Sequence, residues 1–99
     1  MRLREQASAR ETRKLETLIR NRPFPTGIST FDIEYGEDPS GDPGVWIWFH
    51  HEDEPKVSRI RIHDLSEFLK SVQMDILRRM GAYPFPYVGL RSKRAARGG

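Results

Sequence analysis

Five consecutive apolar residues, Val45-Trp46-Ile47-Trp48-Phe49, constrain this chain more than any other feature. The turn-rich stretch Gly36-Glu37-Asp38-Pro39-Ser40-Gly41-Asp42-Pro43-Gly44 leads into them, and the polar run from His50 to Pro55 follows. Side chains along a strand alternate between two faces, so Val45, Ile47 and Phe49 share one face and Trp46 and Trp48 the other. A strand apolar at both parities belongs in the centre of a sheet, either covered on both sides or offering its tryptophan face to a partner.

The neighbouring patterns build a sheet around it. Ile28 to Tyr35 alternates, with Phe31, Ile33 and Tyr35 inward and Asp32 and Glu34 outward, which predicts a strand with one wet face. The stretch from Gly36 to Gly44 predicts a long hairpin loop. Val57 to Ile62 alternates again, with Ile60 and Ile62 inward and Arg59 and Arg61 outward, and reads as a third strand. Asp64 and Glu67 then resemble a capping box. From there Leu65, Phe68, Leu69, Val72, Ile76 and Met80 repeat with the helical period, ending at Arg78, Arg79 and Gly81. Tyr83 to Leu90 is extended; Pro84 and Pro86 lack amide hydrogens on the same side, which makes it an edge strand or a strap.

Before the first strand, Leu15, Leu18 and Ile19 give one apolar stripe on a short helix that stops ahead of Pro23. The expected fold is therefore α+β in the order α-β-β-β-α-β: an antiparallel-rich sheet of three to four strands. The second helix packs on the Val45/Ile47/Phe49 face, and the first lies on the other face or at an end. Residues 1–14 have little to bury and are expected to fray, 15–90 form the single domain, and 91–99 form a disordered basic tail.

Charge is segregated along this order. The formal net charge is +3 over 99 residues, with 17 basic and 14 acidic side chains. Residues 23–55 contain no Lys or Arg and hold Asp32, Glu34, Glu37, Asp38, Asp42, Glu52, Asp53 and Glu54, while the bases concentrate towards both ends. Such blocks are compatible with an ordinary solvated surface, with basic termini docking on the acidic middle within the fold or between copies, or with one acidic and one basic surface for different partners. The absence of cysteine excludes disulfides and thiolate chemistry and suits a reducing compartment. No apolar run approaches a membrane span, and no signal-peptide pattern follows the charged start, so a cytoplasmic protein without membrane contact is expected.

Catalytic signals are sparse. His50 and His51 are adjacent on a strand and point to opposite faces, which prevents them from sharing a metal, and no H-x-x-x-H spacing exists. Asp38 and Asp42 lack the spacing of a calcium loop, and turn chemistry accounts for them. No phosphate loop or nucleophile elbow is present. The expectation is a non-catalytic chain without cofactor or metal. Its predicted partner-binding surface is Trp46, Trp48, Phe85 and Tyr87, with Asp38 and Asp42 steering a basic partner or a second copy. The alternative is nucleic-acid binding through Arg59, Arg61, Arg78, Arg79, Arg91, Lys93 and Arg94, or a small ribonuclease-type toxin using His50, His51 or His63.

The run Phe31-Asp32-Ile33-Glu34-Tyr35-Gly36-Glu37-Asp38, then Gly41-Asp42-Pro43, an apolar strand, a capped helix and Phe85-Pro86-Tyr87-Val88, resembles a set of short uncharacterised bacterial proteins. These are often encoded beside a small partner gene in toxin–antitoxin-like pairs. The resemblance covers roughly residues 15–90. It implies an α+β fold and an interaction role within such an operon pair, and assigns no catalytic residue.

Overall fold

The central strand is where the apolar run placed it. A computed structural model describes the backbone of residues 2–51 and 59–92 and the side chains of 9–51 and 63–91. Its elements are α1 (Arg2–Arg20), β1 (Ile28–Glu37), β2 (Pro43–His51), α2 (Arg59–Met80) and β3 (Phe85–Ser92). The three strands form one sheet in the order β1-β2-β3, so β2 is flanked on both sides. β1 and β2 form an antiparallel hairpin, whereas β3 runs parallel to β2. Parallel pairing follows from the connection: α2 carries the chain back across the sheet before β3 begins, and a hairpin cannot do that. The architecture is α+β, with a mixed rather than purely antiparallel sheet.

Both helices lie on one side of this sheet. Val45, Ile47 and Phe49 are buried together with Leu15 and Ile19 of α1 and Leu65, Val72 and Ile76 of α2. The expectation that α1 covers the opposite face is corrected here. A three-stranded sheet is too wide for one helix about 10 Å across. α1 therefore covers the β1 side, where Thr12 Oγ1 donates to Tyr35 Oη at 2.9 Å. α2 covers the β3 side, where Gln73 Nε2 donates to the Pro86 carbonyl at 2.8 Å. Burial pushes the Tyr35 phenol pKa up, partly opposed by the Thr12 hydrogen bond.

An aromatic cluster fills the space between the helix layer and the sheet. The Phe49 ring lies 5.6 Å from Phe24, 5.8 Å from Phe31 and 5.0 Å from Phe68. These centroid distances and tilted or edge-on geometries are those preferred by ring quadrupoles. Arg22, just beyond α1, ties the two helices by donating from Nη1 to Asp75 Oδ2 at 2.6 Å and from Nη2 to Ser71 Oγ.

Four local expectations are revised. Arg59 to Ile62 open α2 instead of forming a strand, because four residues of alternation fit a helical turn as well as a pleat and the strong periodicity downstream extends backwards through them. Asp64 consequently lies inside the helix and does not cap it. α1 begins at Arg2, since Ala, Arg, Glu and Gln favour helix even where little is buried. Arg91 and Ser92, assigned to the tail, complete β3 opposite His50 and His51. Lys93, Arg94 and the rest of residues 93–99 lie outside the described residues, as do residues 52–58, where a polar turn was expected up to Pro55. Other signals match: α1 ends before Pro23, and Gly81 adopts φ 93° as a left-handed C′ residue whose amide donates to Leu77 O at 3.0 Å.

Phe49 is completely shielded and touches both layers. Phe49→Ala is expected to lower stability by about 3–5 kcal/mol, measured by urea unfolding with unchanged m-value.

Candidate functional site

The sheet's second face carries no described helix. Register decides which side chains share it: Asp32 opposes Trp48, Glu34 opposes Trp46, Tyr87 opposes Trp46, Gly89 opposes Trp48, and Arg91 opposes His50. Phe85, opposite Gly44, falls on the same face. Trp46, Trp48, Phe85 and Tyr87, which the sequence nominated separately, therefore meet in one patch. Each is half-buried.

The patch is flat because glycines lie beneath the rings. A Cβ on Gly89 would come within 2.9 Å of Trp48 Cζ3. One on Gly44 would meet Trp46 Cη2 at 3.1 Å and Tyr87 Cε2 at 3.2 Å. Gly36 pairs with Gly44 and lies under the same indole, with a Cβ-to-Cζ3 distance of 3.6 Å. The ladder thus continues to Glu37 and Pro43, leaving a loop of residues 38–42 rather than the longer one expected from the glycines. Ring cover over strand glycine replaces the packing that the missing side chains would supply.

The rings are ordered among themselves and by charge. Trp46 stacks on Tyr87 with centroids 5.1 Å apart and planes at 20°, and Tyr87 meets Phe85 at 5.0 Å. The Arg91 guanidinium carbon sits 4.5 Å above the Trp48 ring. Arg91 Nη1 also approaches Glu34 Oε2 at 3.5 Å, while Trp48 Nε1 donates to Glu34 Oε1 at 3.3 Å. A carboxylate, an indole and a guanidinium therefore form one unit, in which Coulomb attraction and the ring quadrupole both favour the cation.

The Asp38 carboxylate closes the loop and holds the rim of the patch. Its Oδ1 accepts from the Ser40 amide at 2.9 Å and the Asp42 amide at 3.0 Å, and its Oδ2 accepts from Tyr87 Oη at 3.1 Å. The Asp42 amide hydrogen bond lowers the Asp38 pKa below its ordinary 3.8, against some desolvation. Desolvation first, then the Asp38 carboxylate, raises the Tyr87 phenol above 10.0. Asp38 is thus a loop-building group; Asp42 is exposed beside it.

The histidines are not gathered into a catalytic set. His50 Nε2 contacts Asp32 Oδ2 at 2.7 Å on the tryptophan face, where its side chain is 10% exposed and that of Asp32 55%. His51 is on the opposite face of β2, opposite Ile28, and His63 is exposed on α2. Among the described residues no group of three or more His, Cys, Asp or Glu could hold a metal.

The alternative nucleic-acid set is scattered as well. Arg59 and Arg61 belong to the first turn of α2, Arg78 and Arg79 to its last, and Arg91 to the sheet face beside Trp48. The sequence reading missed Glu34 and Gly89 as members of the aromatic patch and misplaced Arg91. The period-two series Phe85, Tyr87, Gly89, Arg91 was the available signal. No described helix is long and apolar enough to cross a membrane. Comparison with protein-family models, curated proteins and solved structures finds no match to this chain.

Two predictions follow from the patch itself. Gly89→Ala, by lifting the Trp48 ring, should cost about 1–3 kcal/mol, and the cost should shrink in a Trp48→Ala background when a double-mutant cycle is measured by urea unfolding. Asp38, with its folded pKa lowered, adds stability that is present above about pH 3.8 and is lost as pH falls through the lower folded value. Tyr87, with its folded pKa raised, adds stability that is present below pH 10.0 and is lost as pH rises through the higher folded value. Unfolding midpoints should fall at both extremes, and Asp38→Asn should flatten the acid limb.

Proposed function

We propose that this chain is a non-catalytic protein-interaction module that binds an arginine-bearing segment of a partner protein on its open sheet face. The observation that carries the reading is the Glu34–Trp48–Arg91 unit, in which the face already holds a guanidinium on an indole beside a carboxylate. The stacked Trp46, Tyr87 and Phe85 extend that chemistry into a platform, and indoles and phenols are enriched where binding energy concentrates. Asp32, which is largely exposed, and Asp42 give the platform an acidic border that favours a basic partner and repels phosphate. In a paired bacterial operon, the arrangement suggested by the sequence resemblance, the neighbouring gene product is the natural partner.

The chain's two tryptophans both lie on this face, so intrinsic fluorescence reports it directly. Titration with a short peptide of alternating Arg and Leu should change the emission saturably, and substituting Glu for each Arg should abolish the change. Trp46→Ala should bind more weakly while keeping its far-UV circular dichroism. Absence of a saturable response, or an equal response to the Glu peptide, would refute the reading.

A further inference from the structure

The molecule's other charged surface lies on the helix layer, away from the tryptophans. α1 and α2 bound an open groove of about 630 Å³. Arg10, Arg13 and Lys14 line it from α1, and Arg79 lines it from α2. Arg22 and Asp75 also face it, but they are paired with each other, and Arg79 Nε lies 3.6 Å from the same aspartate. Among the described residues no carboxylate comes within ion-pair distance of Arg10, Arg13 or Lys14. Among the described residues the groove therefore has one carboxylate, already shared by two arginines, and an excess of cations.

We propose that this groove binds the phosphodiester backbone of duplex DNA without sequence preference. Three features select that occupant. Arg10, Lys14 and Thr17 on α1 and Asn21 just past its end follow at i, i+4, i+7 and i+11, with Arg13 beside them, so donors run along this helix and its C-terminal turn over about 16 Å. A duplex presents about one negative charge per 1.7 Å of axis, a continuous line that such a stripe can follow. Thr17 and Asn21 add neutral donors of the kind commonly directed at phosphate oxygens.

The apolar part of the lining decides between duplex and single strand. Single strands are gripped by stacking unpaired bases on aromatic rings. Among the described residues the groove is lined by no aromatic side chain, and Leu18 is its only large aliphatic one. The chain's aromatic platform is on the opposite face, bordered by Asp32, Glu34 and Asp42, where a polyanion is repelled. The same charge layout orients the polyanion towards the helices. This site is independent of the peptide-binding reading of the sheet face and shares no residue with it.

The test uses the full chain and a fluorescein-labelled 20-base-pair DNA of mixed sequence, read by anisotropy from 20 to 200 mM salt. Arg13 and Lys14 are both exposed on a helix, where alanine is well tolerated, so Arg13→Ala/Lys14→Ala should keep wild-type circular dichroism. Its plot of log affinity against log salt should be shallower than wild type by about 1.8, corresponding to two lost phosphate contacts. Trp48→Ala should bind DNA like wild type. The proposal is overturned if the double variant keeps the wild-type slope and affinity. It is also overturned if the single strand of the same sequence, or polyglutamate of equal charge, binds as tightly as the duplex.

Discussion

Burial of one face of β2 under both helices governs everything else in this molecule. Val45, Ile47 and Phe49 take their cover from Leu15 and Ile19 on one side and Leu65, Val72 and Ile76 on the other. Each wholly buried aliphatic or aromatic side chain contributes on the order of 1.5–3 kcal/mol, which is a large share of the stability of so small a domain. Because this requirement draws both helices to the same side, Trp46 and Trp48 are left on the face that neither helix reaches. The exposed platform is a consequence of how the core is closed.

That platform is stabilised from within its own plane. Glycines let the indoles lie against the backbone, Tyr87 stacks on one and Arg91 caps the other, and Asp38 anchors Tyr87 through its hydroxyl. Large rings that would otherwise protrude become a low surface with carboxylates around it. The helix layer has the opposite character: its unneutralised cations Arg10, Arg13 and Lys14 sit along α1, more than 70 residues away in sequence from the strand that carries Arg91. Two surfaces of contrary charge are thus separated by the thickness of a sheet and a helix, each attracting groups of opposite sign.

The sequence revealed the centre of this arrangement better than its periphery. Alternation in β1, the double-sided run of β2 and the long periodic face of α2 each repeat often enough to identify their element, and the prolines beside Phe85 correctly mark an edge. The strand expected from Val57 to Ile62 is replaced at Arg59 to Ile62 by helix, because so short an alternation does not separate a pleat from a helical turn. The direction of β3 and the side chosen by α1 were not legible, since both depend on how wide the sheet becomes once all three strands pair. For the aromatic patch, the residue types were visible but their meeting was not. Trp48, Gly89 and Glu34 come together only through register, which links positions far apart in the chain. The basic groove was hidden for a similar reason: Arg10, Arg13 and Lys14 fall in the stretch expected to fray, and only the packing of α1 beside α2 brings them near Arg79.

Arg91 stands one residue from the end of β3, on the second-last rung of the parallel ladder. Terminal rungs open more readily than central ones. When this one parts, the guanidinium leaves Trp48 and Glu34 together, and a hydrophobic ring and a carboxylate are uncovered in the same event. A cation that settles on that indole therefore competes with the chain's own arginine for the same ring and carboxylate.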